Sequence, residues 1–257
     1  MKPGSGLIDS TFETARSEGR AALLVCLPIS FEPGWAIRAA RAVFEAGADM
    51  IEFQTAFPNH PDVALSTIDR INSFATGPVL LWADAYSVSD FGIAREHNYL
   101  LAEKCVEAGV SGVASPLRSP LIDQWADACT DRLAPIFFVG PGMSDADRLR
   151  ASARGRGFLY GIGLETSPPA SPAVAAALSG FVNSVRQDSA LPIVIGAGIG
   201  TREQAALAAT ICDGIAVAKF AFAAIKAGRD RGRDGIADLT TVVAELRTAL
   251  VRGEPSA

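Results

Sequence analysis

The sequence predicts an α/β fold in which parallel strands alternate with helices and close on themselves as a (β/α)8 barrel. Three observations carry that reading. Short apolar runs bounded by Gly, Pro or Asp recur along the chain, and segments of helical period separate them. Several helix-to-strand passages also repeat one wording: Glu45-Ala-Gly-Ala-Asp, Glu107-Ala-Gly-Val-Ser and Ile211-Cys-Asp-Gly. In each, glycine permits the left-handed turn that ends a helix before the next strand begins.

A polar stretch after Met1-Lys-Pro-Gly-Ser-Gly predicts a short N-terminal helix ahead of the barrel. The apolar runs predict strands at 22–27, 50–55, 78–83, 111–115, 135–140, 157–162, 192–196 and 214–218. They lack polar alternation, as strands buried on both faces do. Helical period fills 35–46, 63–74, 95–108, 121–129, 145–153, 173–188 and 202–211, and the final helices take up 222–252. Strict β/α alternation implies a parallel sheet, and eight such units favour a closed TIM barrel over an open doubly wound sheet. The open arrangement would usually announce a Gly-x-Gly-x-x-Gly turn after its first strand, and none follows Leu27. At 257 residues, 49% hydrophobic and 20% charged, the chain has the size of one such barrel. Without a linker or a shift in composition, residues 1–257 read as a single β/α barrel domain.

A formal net charge of -5 argues against a nucleic-acid partner, because the one basic run, Arg229-Asp-Arg-Gly-Arg-Asp234, alternates in sign. Cys26, Cys105, Cys129 and Cys212 form no close pair and read as reduced thiols. No apolar run is long enough to span a bilayer and no signal segment opens the chain, so a soluble, cytoplasmic protein is expected.

Glu52 is the most informative residue. It stands inside an apolar strand, where a carboxylate is costly unless it is paired or does chemistry. It is either a catalytic acid or base, or the partner of a buried cation such as Lys219. Asp84, in Trp82-Ala-Asp-Ala-Tyr86, ends the third strand and is either a turn cap or a second carboxylate at the barrel mouth. Asp62 reads as the N-cap of the helix that starts at Val63 in preference to a catalytic group. In Gly214-Ile-Ala-Val-Ala-Lys-Phe220 a buried strand runs into Lys219, for which three roles are open: ligand of a phosphate or carboxylate, partner of Glu52, or Schiff-base nucleophile. The turn Gly196-Ala-Gly-Ile-Gly-Thr-Arg-Glu-Gln204 opens a helix whose N–H groups would hold an anion, which makes Gly198, Ile199 and Gly200 candidate anion-binding residues. Phe53, Trp82, Phe138 and Tyr160 either stack on a flat substrate or fill the interior. His60 and His97 lie far apart without matching ligands, so neither a metal site nor a cofactor is predicted.

Six segments in order carry a likeness to a known family: Ala22-Leu-Leu-Val-Cys-Leu-Pro-Ile-Ser-Phe-Glu-Pro-Gly34, Glu45-Ala-Gly-Ala-Asp-Met-Ile-Glu-Phe53, Ala108-Gly-Val-Ser-Gly-Val113, Ala134-Pro-Ile-Phe-Phe-Val139, Gly157-Phe-Leu-Tyr160 and Leu191-Pro-Ile-Val-Ile-Gly-Ala-Gly-Ile-Gly200. With them the chain resembles the tryptophan synthase alpha subunit from about Phe12 to about Gly228. The resemblance implies the phosphate-binding type of β/α barrel and a retro-aldol cleavage that releases indole and a triose phosphate. It places Glu52 at the family's general acid/base glutamate.

Several positions depart from the family's wording. The loop Ala56-Phe-Pro-Asn-His-Pro-Asp62 is short where the family carries a second catalytic aspartate, Asp84 replaces a Tyr, and Ser115 replaces an Asp. Gly163-Leu-Glu-Thr-Ser-Pro-Pro-Ala170 stands where the family has Gly-Val-Thr-Gly, and Ala218-Lys219 stands in place of a phosphate-cradling Gly-Ser. The expectation is therefore a divergent carbon–carbon or carbon–oxygen lyase, of aldolase type, acting by acid/base chemistry on an anionic small molecule. Glu52, Asp84 and Lys219 are its candidate catalytic residues, and Gly198, Ile199, Gly200, Lys219 and Tyr160 bind substrate. A phosphate-ester or prenyl-phosphate transferase and a non-catalytic regulatory subunit are the alternatives. The short loop removes much of what the family uses to meet its beta partner, so a beta-subunit partner is not assumed, and a homo-oligomer stays open.

Overall fold

Each strand turns alternate residues toward two different cores. In the computed structural model, residues 4–29, 32–55, 61–83, 95–162, 170–196 and 198–251 are described. The strands are β1 (Ala22–Pro28), β2 (Met50–Thr55), β3 (Val79–Ala83), β4 (Gly112–Ser115), β5 (Ala134–Val139), β6 (Leu159–Gly161), β7 (Ile193–Ile195) and β8 (Gly214–Val217). They pair in parallel in chain order, and β8 closes the barrel on β1. On β2, Ile51 and Phe53 face outward into the layer between sheet and helices, while Met50 and Glu52 face the barrel interior. Apolar residues are needed on both sides, which is why the strands read as unbroken apolar runs.

The helices are α1 (Gly4–Ser17), α2 (Pro33–Glu45), α3 (Pro61–Asn72), α4 (Arg95–Glu107), α5 (Leu121–Ala128), α6 (Asp145–Arg154), α7 (Pro172–Asp188), α8 (Arg202–Ala209), α9 (Lys219–Asp230) and α10 (Ile236–Ala249). Several start where the sequence supplies an acceptor for their unpaired N–H groups. The Ser144 hydroxyl accepts from Asp147 N, Ser171 accepts from Val174 N, and Thr201 accepts from Gln204 N. Among the described residues no helix is long and apolar enough to cross a membrane. All four cysteines are buried and form no disulfide.

Helix α1 is polar in composition, yet Ile8, Phe12 and Ala15 recur at helical spacing along one face and join the barrel interior. The Phe12 ring meets Phe158 edge-on with centroids 5.8 Å apart, at the N-terminal end of β6. The helix therefore stoppers the bottom of the barrel, and the opposite, C-terminal end is the mouth.

Two expectations are corrected here. Asp62 is not an N-cap: α3 starts one residue earlier, so Asp62 sits within its first turn, exposed, with an Oδ1 that receives a hydrogen bond from Lys104 Nζ at 3.0 Å. Lys219 does not end a buried strand: β8 stops at Val217, the backbone turns at Ala218, and Lys219 is the exposed first residue of α9. The ammonium stays hydrated at a helix end, which removes the desolvation that a buried lysine would suffer.

Candidate active site

The β1–β2 register sets Cys26 beside Glu52, and the β2–β3 register sets Leu80 on the other side. Glu52 is 0% exposed. The Cys26 thiol donates to Glu52 Oε1 at 3.3 Å, and among the described residues Oε2 has no hydrogen-bond partner. Tyr160 reaches in from β6, with its hydroxyl 3.8 Å from Cys26 Sγ. Next toward the mouth on β2 and β3 come half-buried Gln54 and Trp82, so Glu52 lies one layer below solvent.

Burial governs the electrostatics of this cluster. Removal from water pushes the Glu52 carboxyl from its ordinary 4.5 up to about 8, with the Cys26 hydrogen bond opposing the rise. Burial likewise pushes up the Cys26 thiol, reinforced by Glu52, and the Tyr160 phenol, reinforced by Cys26 and then Glu52. All three groups therefore hold their protons near neutrality. A carboxyl that exchanges its proton in that range suits general acid and base work.

An aromatic group packs beside it. The Trp82, Phe138 and Tyr160 rings stand edge-to-face, with centroids 5.0 Å apart for Trp82–Phe138 and 4.9 Å for Phe138–Tyr160. A Cβ at Gly196 would come within 2.2 Å of Tyr160 Cε1, so glycine there is what admits the ring. Phe138 and Tyr160 thus fill the interior, Phe53 packs outward, and Trp82 packs half-buried against the interior cluster. The sequence makes Tyr160 a candidate substrate-binding residue or interior filler; the structure brings its hydroxyl to Cys26, which stands beside Glu52.

A second feature lies at the mouth between α8 and α9. A cavity of about 200 Å³ is lined by Gly198, Gly200, Thr201, Gln204, Lys219 and Phe220. Gly198 takes a φ of 94°, which favours glycine, and lets the chain turn from β7 toward α8. Ile199 is 1% exposed and points into the outer core, so only its backbone is available to a ligand. Lys219 Cδ lies 3.8 Å from where a Gly200 Cβ would stand, which brings Lys219 and the glycine turn together.

The turn's N–H groups are less available than the sequence suggests. Gln204 Oε1 accepts from Gly200 N at 2.8 Å and from Thr201 N at 3.1 Å, completing a capping box with Thr201. The signal is present in Thr201-Arg-Glu-Gln204, since Thr followed three residues later by Gln is the capping-box spacing. By contrast α9, whose N-cap is Ala218, has no side-chain cap. Its first N–H groups and Lys219 are what this cavity offers an anion.

Other candidates fall elsewhere. Asp84 and His60 lie outside the described residues, as does the side chain of His97 on α4. Among the described residues, no ion pair joins Lys219 to Glu52, so the pairing of those two is overturned. Exposure of Lys219 also removes the desolvation that a Schiff-base lysine would need. Ser115, at the mouth end of β4, is buried with an unpartnered hydroxyl. The sequence marks Cys26 only as a core thiol; its position at the height of Glu52 on the neighbouring strand becomes visible once the register is fixed.

The profile described as tryptophan synthase alpha chain matches residues 59–251, a span that includes Tyr160 and Lys219 and begins after Glu52. A relative of that name from Methylococcus capsulatus is 28% identical over 270 aligned positions, which cover 95% of this chain and 98% of the relative. Its counterpart from Streptomyces coelicolor is 30% identical over 240 positions, covering 82% of this chain and 84% of its own. Among solved structures, the tryptophan synthase alpha chain of Legionella pneumophila is similar with a TM-score of 0.78 at 20% identity, covering 95% of this chain and 97% of that one. A chain of Mycobacterium tuberculosis tryptophan synthase gives a TM-score of 0.76 at 25% identity, covering 96% and 98%. These likenesses do not support the doubt about a beta-subunit partner.

Proposed function

Because the chain belongs to the tryptophan synthase alpha chain family, we propose that it is a lyase that breaks a carbon–carbon bond in a small anionic substrate, with Glu52 moving the proton. The observation that carries this reading is the enclosed Glu52 carboxyl, raised to about 8 one layer below the mouth. A retro-aldol cleavage needs a proton delivered to the departing carbon and another withdrawn from the hydroxyl that becomes a carbonyl. Glu52 starts protonated at neutral pH and serves the first step; the resulting carboxylate serves as a base. Half-buried Trp82 offers a flat surface to the substrate, and Lys219 with the uncapped end of α9 offers a place for its anion.

The departures at Ser115 and Lys219 support a substrate other than indole-glycerol phosphate. A beta-type partner belongs to the proposal as well, supported by the relatives' designation as an alpha chain and by that of the M. tuberculosis structure as tryptophan synthase. The test is indole release from indole-glycerol phosphate by the purified protein, with and without a beta subunit, beside a panel of phosphorylated and carboxylated aldol-type substrates. Turnover of indole-glycerol phosphate on the order of 10 per second would overturn the altered-substrate reading. With whichever substrate turns over, Glu52→Gln should lower kcat by roughly 100-fold or more. A fully active Gln variant would leave Glu52 a structural carboxyl.

A further inference from the structure

We propose that Cys26 is a positioning residue for Glu52: its thiol pins Oε1 and leaves Oε2 as the oxygen that holds and delivers the proton. The inference rests on the reading of Glu52 as the proton-transfer group. Three features of the geometry support it. The β1–β2 register fixes Cys26 opposite Glu52, so their proximity follows from the strand ladder and not from flexible side chains. The thiol donates its single proton to Oε1 at 3.3 Å, while Oε2, with no accessible surface, has no partner among the described residues. On the far side of the sulfur, the Tyr160 hydroxyl stands at 3.8 Å and is free to donate to it, so the polar groups line up as Tyr160 to Cys26 to Glu52.

A neutral carboxyl that accepts a hydrogen bond on one oxygen carries its own proton on the other. Cys26 therefore decides which oxygen is the acid. Sulfur also suits the task, because S–H is a weak donor. It orients Oε1 without stabilising the carboxylate as strongly as a hydroxyl would, and so preserves the high proton affinity that burial creates. The other groups around Glu52 do not compete. Interior positions of β3, β4, β5, β7 and β8 present Leu80, Ala114, Phe138, Val194 and Ala216, none of which titrates. Among the described residues the titratable groups around Glu52 are Cys26 and Tyr160 alone.

The test follows the Glu52 carboxyl directly in the purified full-length protein, without substrate. Its pH titration is read by NMR on protein carrying 13C-carboxyl glutamate, and the signal is assigned by its loss in Glu52→Gln. Cys26→Ser, which offers a stronger donor, should move the midpoint down by about one pH unit. Cys26→Ala, which offers none, should move it up. Thermal melts establish that both variants are folded, and one folded variant is enough to decide. A midpoint that stays in place would overturn the proposal. The functional reading is tested separately: if the midpoint moves yet Glu52→Gln retains full turnover, Cys26 positions Glu52 but Glu52 is not the proton-transfer group. If Glu52→Gln is inactive and the midpoint ignores Cys26, the functional reading stands and this inference falls.

Discussion

Glu52 is a carboxyl group that the fold holds in a form water would not favour. Unfolded, it releases its proton near 4.5; folded, it keeps it until about 8. Between those values the folded state binds the additional proton, so Glu52 favours the fold most at the acidic end of this window, and that contribution is lost progressively as pH rises from 4.5 to about 8. The difference over the whole window is roughly 5 kcal/mol. Glu52→Gln has no such dependence. Denaturant unfolding at pH 5 and pH 9 should show the natural protein losing several kcal/mol relative to the Gln variant, and parallel profiles would mean that Glu52 is ionised throughout. Part of this was legible in the sequence: a carboxylate amid Met50-Ile-Glu-Phe53 announces a cost. Its remedy was not, because Cys26 and Tyr160 lie far from one another along the chain, 134 residues apart, and only barrel closure and strand register bring them to the height of Glu52.

At the scale of elements, α8 and α9 present their N-termini to the same cavity but treat them differently. α8 is closed by its own Gln204, whereas α9 is open and carries Lys219. Gln204→Ala should cost about 1 kcal/mol of stability, the usual worth of a lost cap, and leave phosphate affinity undiminished. Lys219→Met should weaken phosphate binding with little change in melting temperature. Isothermal titration with inorganic phosphate, paired with a melt of each variant, checks both; a Gln204 variant that lost phosphate would place the anion on the α8 turn instead. Strand positions were readable because burial on both faces leaves short apolar runs bounded by Gly, Pro or Asp. The start of α9 was misplaced for a related reason. Val217-Ala-Lys-Phe220 continues the apolar character of β8, and only the turn at Ala218 separates strand from helix.

Across the whole molecule the barrel interior is one connected core to which α1 contributes from the N-terminus. Phe12 is 3% exposed and packs on Phe158, with Gly214 close by. Phe12→Ala should therefore cost about 3–5 kcal/mol, as large-to-small changes in a packed core do. It should lower the single unfolding transition of the entire chain, because β6 and β8 lose the same support. A separate early transition confined to the N-terminus, seen by circular dichroism and tryptophan fluorescence together, would show α1 to be an independent appendage. The stopper has a kinetic meaning too. Ile8 and Phe12 close the floor beneath Glu52 on the side away from the mouth, and a substrate seated at the mouth would close the other side. On the proposed role of Glu52 the carboxyl would then be an isolated reservoir of one hydrogen: what it gave to one fragment it would have to recover from the other before the products left.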